Sequence, residues 1–533
     1  MSELKYSVIS KKRLAVYLII ILLGSLGFKF YLTDFSVPET GDSWIYILRG
    51  IANSQGDYVE TPEKTQGWNL FLSPFFSLTN SNNYLDYVNI ARILSISISV
   101  ITIIPMFFLA RKFFSEKYSI LCSIFLGFQP QLHYNASLGF SEPLFILTLV
   151  SASALLIDKK ITKTIFIAFL LLGALFWTRF IGLIFIIPFI ISYFILYYKS
   201  TNKLKIFFLC LTIFLIVISP ILSLRYIQYD DPLYYWNPIP IECCDNVSII
   251  DIILQGGGNT LYVLGIVSLP YLIFLIPIGM FFSFKKIKNK ENRYLTNWII
   301  LISTTLPFFI ANYALTNEAR HMFHLYPFLI IFATLAVNEI LECKKLLFTN
   351  KQKNYIIYLV IILVLISSGL VTIGIDDLGY GRTNTNEIHE IQDYSKFLIN
   401  NVDGKLFWSK GVDSDWVWVT MLTESNGEFK NYKNNPNFQL LFSEVQNLNS
   451  SDLYVLSSQE LSGDSIEKII SKGKIINLSH LSVSKYNEQL FFDDVYQNEV
   501  EYPYLVKIFD SREQGYNHFS VKTFEIDYSK FEN

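Results

Sequence analysis

The chain reads as a polytopic α-helical membrane protein of about eleven spans that ends in a soluble α/β domain. Three observations predict this. Apolar runs long enough to cross about 30 Å of hydrocarbon recur from residue 14 to residue 375. Charged residues make up 17% of the 533-residue chain, against about 25% in soluble domains, and they are scarce before residue 376 and ordinary after it. Basic residues also fall on alternate sides of the successive runs.

The expected spans are 14–33, 89–110, 118–134, 140–157, 161–178, 180–198, 204–224, 260–283, 297–313, 322–342 and 355–375. The first lacks an A-x-A cleavage site, so it is expected to remain as a helix. The run 118–134 is the weakest, because Gln129-Pro130-Gln131 interrupts it. With a cytoplasmic N-terminus, the cytoplasmic segments hold 22 basic residues, in clusters such as Lys11-Lys12-Arg13 and Lys285-Lys286. The opposite loops hold five, Arg49, Lys64, Arg179, Arg225 and Arg320, or seven with Lys29 and Arg92 at the ends of their spans. Cytoplasmic loops carry the positive excess. An odd number of spans then sets residues 376–533 outside an integral plasma (cell) membrane. Four N-x-S/T sequons, at Asn135, Asn246, Asn449 and Asn477, fall on that same side.

The first external loop, 34–88, contains an apolar segment at 69–79 that is too short to span and suits the interface. The loop 225–259 is rich in Tyr, Pro and Asp. The transmembrane domain is taken as 1–375 and the extracytoplasmic domain as 376–533. In the latter, Ile388, Ile391, Tyr394, Phe397 and Leu398 lie at helical spacing. Strand-like runs follow at 405–408, 452–457, 474–478 and 504–509, with a helix-like stretch at 466–472 between two of them, which fits a small α/β domain.

Five cysteines are too few for a dense disulfide framework. Cys122, Cys210 and Cys343 are expected to be packing residues, and Cys243 and Cys244 are adjacent in an external loop. A net charge of −2 signals no nucleic-acid partner. No P-loop, G-x-S-x-G or H-E-x-x-H motif is present.

Ionisable residues collect at the external ends of the spans. Asp42 lies in the first loop, within Gly41-Asp42-Ser43-Trp44, and Asp34 is its rival nearer the membrane. Glu142 opens the fourth span before Pro143, itself a helix-start signal. Arg179 lies in the turn Trp177-Thr178-Arg179-Phe180, and Arg320 and His321 open the tenth span. Each alone fits an interfacial anchor or a cap. Together, acids and arginines on one face suit a phosphate-bearing substrate and a deprotonated nucleophile. Lys64 and Arg49 are further cations in the first loop. His321 and His324 are about one turn apart, but no third metal ligand is evident, so hydrogen-bonded histidines fit better than a metal site.

With these residues in place, the chain resembles the GT-C superfamily of integral-membrane glycosyltransferases, and within it the protein O-mannosyltransferase and aminoarabinose transferase branch. The features that carry the resemblance are the acid after the first helix (Asp42), Glu142-Pro143-Leu144 opening the fourth, the Thr178-Arg179 turn, the Arg320-His321 start with Pro327, and the C-terminal external domain. It departs where protein mannosyltransferases commonly show Asp-Glu, since Ser43 follows Asp42, and the oligosaccharyltransferase W-W-D-Y-G is absent.

The resemblance implies a sugar on a polyprenyl phosphate as donor, a hydroxyl-bearing acceptor, and inversion at C1. Asp42 would be the general base. Arg320 and Arg179, with His321 and Lys64, would hold the leaving phosphate. Glu142 would assist at the acceptor or position a divalent ion; no other cofactor is implied. The competing readings are a transporter or lipid flippase and an inactive envelope scaffold. Transporters tend to show midplane polar residues on broken helices, whereas here the ionisable groups sit at one face.

Overall fold

The computed structural model describes residues 10–38, 43–58, 65–157, 163–233, 250, 252–262, 272–314, 319–343, 348–373, 385–401, 406–408, 420, 422–423, 427–431, 453–457 and 505–526. The chain divides into two compact units. The first comprises Met1–Asp34, Ala52–Ser77 and Asn89–Gly374, and the second Phe35–Ile51, Leu78–Val88 and Ile375–Asn533.

The first unit is helical. In order it contains α1 (Lys11–Tyr31), the end of α2 (Ser43–Ser54), α3 (Gln66–Ser77), most of α4 (Tyr84–Ile101), α5 (Ile103–Arg111), α6 (Glu116–Gly127), α7 (Pro130–Ser137), α8 (Glu142–Leu156) and α9 (Thr164–Thr178). It continues with α10 (Ile186–Tyr197), α11 (Lys203–Tyr229), α12 (Gly257–Tyr262), α13 (Leu275–Lys288), α14 (Asn292–Ala314), α15 (Tyr326–Leu341) and α16 (Asn350–Ile373). Six stretches among the described residues are long and apolar enough to cross a membrane: Lys11–Tyr31, Tyr84–Arg111, Phe180–Tyr197, Lys203–Tyr229, Met322–Leu341 and Asn350–Val371. Glu142–Leu156 and Thr164–Thr178 are shorter apolar helices.

One expectation changes here for a local reason. The run 118–134 is not one helix. Gln129 turns extended (φ −73°, ψ 123°) and its side chain caps the Leu132 amide at 2.5 Å, while Pro130 takes the first helical position, where a missing N–H costs nothing. The chain therefore stops α6 and restarts as the eight-residue α7. The segment at 69–79 is the helix α3, with Trp68, Leu72 and Phe76 buried at i, i+4, i+8 against the protein and Phe75 and Leu78 exposed. Residues 263–271 of the expected span 260–283 and the vicinal Cys243-Cys244 lie outside the described residues. Cys122 and Cys210 are buried free thiols, as packing residues should be.

One end of the bundle is tied by polar contacts. Glu342 accepts from Lys353 at 2.6 Å and from Tyr118 at 2.9 Å, and Lys117 donates to Asn354 at 2.7 Å. This joins α6, α15 and α16 outside the apolar layer. α1 and α16 leave most of their surface to the surroundings, with Ile20, Leu23, Ile366 and Leu370 all more than half exposed, as helices facing lipid would.

In the second unit, α17 (Thr385–Asn401) lies on a four-stranded sheet of β1 (Leu406–Trp408), β2 (Leu453–Ser457), β3 (Leu505–Asp510) and β4 (Val521–Ile526), in the order β1-β2-β4-β3. β1 and β2 are parallel; β4 pairs antiparallel with both β2 and β3. Ile391, Tyr394 and Leu398 of α17 pack on Phe509, Phe519, Val521 and Val37, and the Tyr394 hydroxyl meets Thr523 Oγ1 at 2.7 Å. The Glu390 carboxylate accepts the amides of Asn517, His518 and Phe519 at 2.9, 2.9 and 2.6 Å. Partial burial would raise its pKa, but these three donors hold it below the ordinary value. The strand β4 was not anticipated, and the expected elements at 466–472 and 474–478 lie outside the described residues.

Candidate active site

Two interruptions in the helices build the site. The first is the turn between α7 and α8. Phe140 N–H returns to Asn135 O at 3.3 Å and Gly139 N–H to Ala136 O at 3.1 Å, the Schellman pattern, with Gly139 left-handed at φ +76°. A side chain there would be strained and would press on Ala91 and the Arg92 amide at 3.4 Å. Trp68 Nε1 donates to Gly139 O at 2.9 Å and Ser95 Oγ to Phe140 O at 3.1 Å, which pins the turn to α3 and α4. Glu142 is thereby fixed as the first residue of α8, 2% exposed.

The second is the end of α9. Arg179 turns extended (φ −156°, ψ 143°), and residues Phe180–Phe185 form a 3-10 turn that feeds α10. Gly182 N–H closes on Arg179 O at 2.9 Å, and a Cβ on Gly182 would strike the Leu175 backbone. Thr65 Oγ1 donates to Thr178 O at 2.7 Å, fastening the start of α3 to the residue before Arg179.

The two interruptions meet. Arg179 and Glu142 form an ion pair through Nη1 and Oε1, with the arginine side chain 22% and the glutamate side chain 3% exposed. The second carboxylate oxygen, Oε2, has no hydrogen-bond partner among the described residues. The Arg179 guanidinium also lies 5.4 Å from the centroid of the Phe323 ring. Phe323 belongs to the 3-10 turn Ala319–Leu325 that opens α15, the turn that carries Arg320 and His321. Phe145, one turn into α8, packs edge-on against Phe323 at 5.5 Å and Phe185 at 5.8 Å, and Phe185 meets the buried His324 at 5.8 Å. An aromatic floor thus lies beside the Glu142–Arg179 pair.

The expected residues therefore divide. Glu142 and Arg179 are in contact, and the backbone of Arg320 and His321 lies in the turn packed on them. The side chains of Arg320 and His321, and Asp42 and Lys64 altogether, lie outside the described residues. Arg225 departs from its expected place as an outer-loop cation: it is 0% exposed, with its guanidinium 4.0 Å over the Phe180 ring beside Arg179. Asn135 is fully buried, so its sequon carries no information about glycan exposure. Sequence reading missed Lys29, Gln131 and Asn135 as polar groups buried in this bundle. The polar density of the Gln129–Asn135 stretch was the available signal. Among the described residues no three His, Cys, Asp or Glu side chains come together, and Arg179 already neutralises Glu142.

Comparison with known proteins bears on the fold. Residues 72–224, less than a third of the chain, match the family model for dolichyl-phosphate-mannose-protein mannosyltransferase. No curated protein matches significantly. The fold matches ArnT from Cupriavidus metallidurans bound to undecaprenyl phosphate with a TM-score of 0.55 at 10% identity, over 97% of this chain and 98% of that one. It matches the oligosaccharyltransferase AglB from Archaeoglobus fulgidus, in complex with an inhibitory peptide and a dolichol-phosphate, with a TM-score of 0.53 at 12% identity, over 83% and 69% of the two chains. For the zinc and sulfate complex of the A. fulgidus oligosaccharyltransferase the TM-score is 0.53 at 12% identity, covering 75% of this chain but only 61% of that one. The chain thus shares its fold with ArnT and the A. fulgidus oligosaccharyltransferase.

Proposed function

We propose that the protein moves a sugar from a polyprenyl-phosphate donor to a hydroxyl acceptor, with inversion, at the extracytoplasmic face of the plasma membrane. The observation that carries this is the ion pair of the buried Glu142 with the half-buried Arg179, packed on the turn of Arg320, in a fold whose solved relatives bind undecaprenyl phosphate and dolichol-phosphate. A charged pair buried at a helix junction is costly to keep without a use.

Asp42 takes the proton from the acceptor hydroxyl as its oxygen bonds to C1 of the sugar. The bond from C1 to the phosphate oxygen breaks, and polyprenyl phosphate leaves with the electron pair. Arg320 and Arg179, with His321 and Lys64, neutralise the leaving phosphate through charge-assisted hydrogen bonds. Glu142 orients Arg179 toward it. The N-terminus is cytoplasmic, residues 1–375 form the catalytic membrane domain and 376–533 the external one.

The test is turnover in proteoliposomes, read as release of polyprenyl phosphate from a panel of lipid-linked sugars. A positioned base contributes roughly 10²–10⁴-fold. Asp42→Asn should lower turnover at least about 100-fold, and Asp34→Asn much less. Near-normal turnover in Asp42→Asn removes the base assignment, and loss confined to Asp34→Asn transfers it there. Transport of the lipid without hydrolysis or transfer would favour a flippase instead.

A further inference from the structure

The ion pair does not account for all the polar groups buried in this bundle. α7 is short and polar on its protein-facing side: Gln131 is 2% and Asn135 0% exposed. Gln131 Nε2 and both Nδ2 and Oδ1 of Asn135 have no hydrogen-bond partner among the described residues. On α1, Lys29 is 1% exposed and its Nζ likewise has no partner there. Native interiors leave few polar groups orphaned, and an unpaired buried ammonium is rarer still.

These groups lie on two neighbouring helices. Ile21, Ser25 and Lys29 form the buried face of α1 at i, i+4, i+8. Ser25 Oγ donates to Gly127 O at 2.7 Å, at the last residue of α6. The Phe28 ring packs 5.6 Å from both Phe128 and His133. Lys29 lies one turn beyond Ser25, on the side where the chain continues through Gln129 into α7. The next residue back, Phe28, packs on His133 of α7, the helix that carries Gln131 and, one turn on, Asn135.

Such a set has the chemistry of a sugar site. Asn135 offers a donor and an acceptor together, which suits hydroxyls that both donate and accept. Gln131 adds a donor. Lys29 adds an amine that has no hydrogen-bond partner among the described residues and would need a counter-charge once protonated. A neutral hexose would leave that charge uncompensated, and an amino sugar would oppose it. An acidic group would pair with it in a low-dielectric setting, where such a hydrogen bond is strongest.

We propose that Lys29, Gln131 and Asn135 form the subsite that recognises the transferred sugar, and that this sugar bears a carboxylate, as a hexuronic acid does. The proposal rests on the glycosyltransferase reading above. It adds the sugar class and three residues to that reading.

The test uses the full-length protein in nanodiscs and measures affinity for three probes: polyprenyl phosphate, polyprenyl-phosphate hexose and polyprenyl-phosphate hexuronic acid. The wild type should bind the hexuronic form tightest. Lys29→Met keeps the aliphatic stem and should erase the preference for the acidic over the neutral sugar, a loss of roughly tenfold to a hundredfold, with binding of the bare lipid unchanged. Lys29→Arg should retain the preference. Asn135→Leu should weaken both sugar-bearing probes and not the bare lipid; Asn135→Ser serves the same purpose if the leucine variant does not fold. Lys29→Met should melt no lower than wild type in the absence of ligand, because it removes an uncompensated charge; a structural lysine would give a lower melting temperature. Equal binding of all three probes by the wild type, as water-filled amides would give, overturns the proposal. So does an intact acidic preference in Lys29→Met. Failure of the wild type to bind bare polyprenyl phosphate sinks the glycosyltransferase reading itself, and the subsite with it.

Discussion

Separating Arg179 from Glu142 offers a direct measure of how the site is held. Removing one partner of a buried pair costs about 3–5 kcal/mol, because the other charge remains without compensation. The two sides are not equivalent here. Arg179→Met strands a carboxylate whose side chain is 3% exposed, whereas Glu142→Gln leaves a guanidinium that is 22% exposed and rests on the Phe323 ring. The arginine substitution should therefore fall near about 5 kcal/mol and the glutamate substitution near about 3 kcal/mol. The double variant should recover part of the loss, with a coupling of about 1–3 kcal/mol. Equilibrium unfolding in mixed detergent micelles, followed by tryptophan fluorescence, gives all three values. Additivity within about 0.5 kcal/mol would mean that the pair is a proximity without energetic content. A larger cost for Glu142→Gln than for Arg179→Met would refute the burial argument.

Gly139→Ala places a Cβ at φ +76°, 3.4 Å from Ala91 and the Arg92 amide; it should destabilise the fold by about 1–3 kcal/mol and lower turnover by displacing Glu142, measured by the same unfolding and transfer assays. The depressed pKa of Glu390 means that its contribution to stability is complete above the unfolded-state pKa and is lost as pH falls through the folded value. Glu390→Gln should accordingly melt lower than wild type near pH 7, and the gap should narrow and close as pH falls through the carboxylate's depressed folded value; a gap independent of pH would show that the three amides are held by something other than the carboxylate's charge. For topology, Gln55→Cys, at an exposed position, should be labelled on intact cells by an impermeant thiol reagent and the exposed Thr201→Cys should not; the reverse pattern would invert the orientation. Ser43 is unsuitable for this probe, because it is buried.

What the sequence made legible was local. Glu142 before Pro143 and the Thr178-Arg179 turn mark helix ends by capping and proline chemistry that acts within a few residues, and both ends are where the spacing put them. What it hid was pairing across distance. Arg225 looked like one more outer-loop cation until Phe180, 45 positions away in the chain, proved to cover it. The polar run from Gln129 to Asn135 registered as a poor span, because nothing local distinguishes a bad transmembrane helix from a buried polar one. β4 escaped notice for a related reason. Paired on both edges, it has Val521, Lys522, Thr523 and Phe524 all buried, so no apolar–polar alternation exists to be read. Lys522 interrupts the apolar residues, and its buried ammonium lies 3.4 Å from the Asp510 carboxylate.

The aromatic cover on the ion pair arrives late. Glu142 and Arg179 belong to a helical hairpin, α8 and α9, that can close as soon as both helices leave the ribosome. Phe323, which lies over Arg179, is about 140 residues further along the chain. At ordinary elongation rates of roughly 5–20 residues per second, the pair stands for roughly 7–30 s with one side open to lipid or to whatever escorts the nascent helices. A chain halted before residue 319 would hold the salt bridge yet lack the turn that bears Arg320, and could be isolated as an assembly intermediate with the acid and the base already joined.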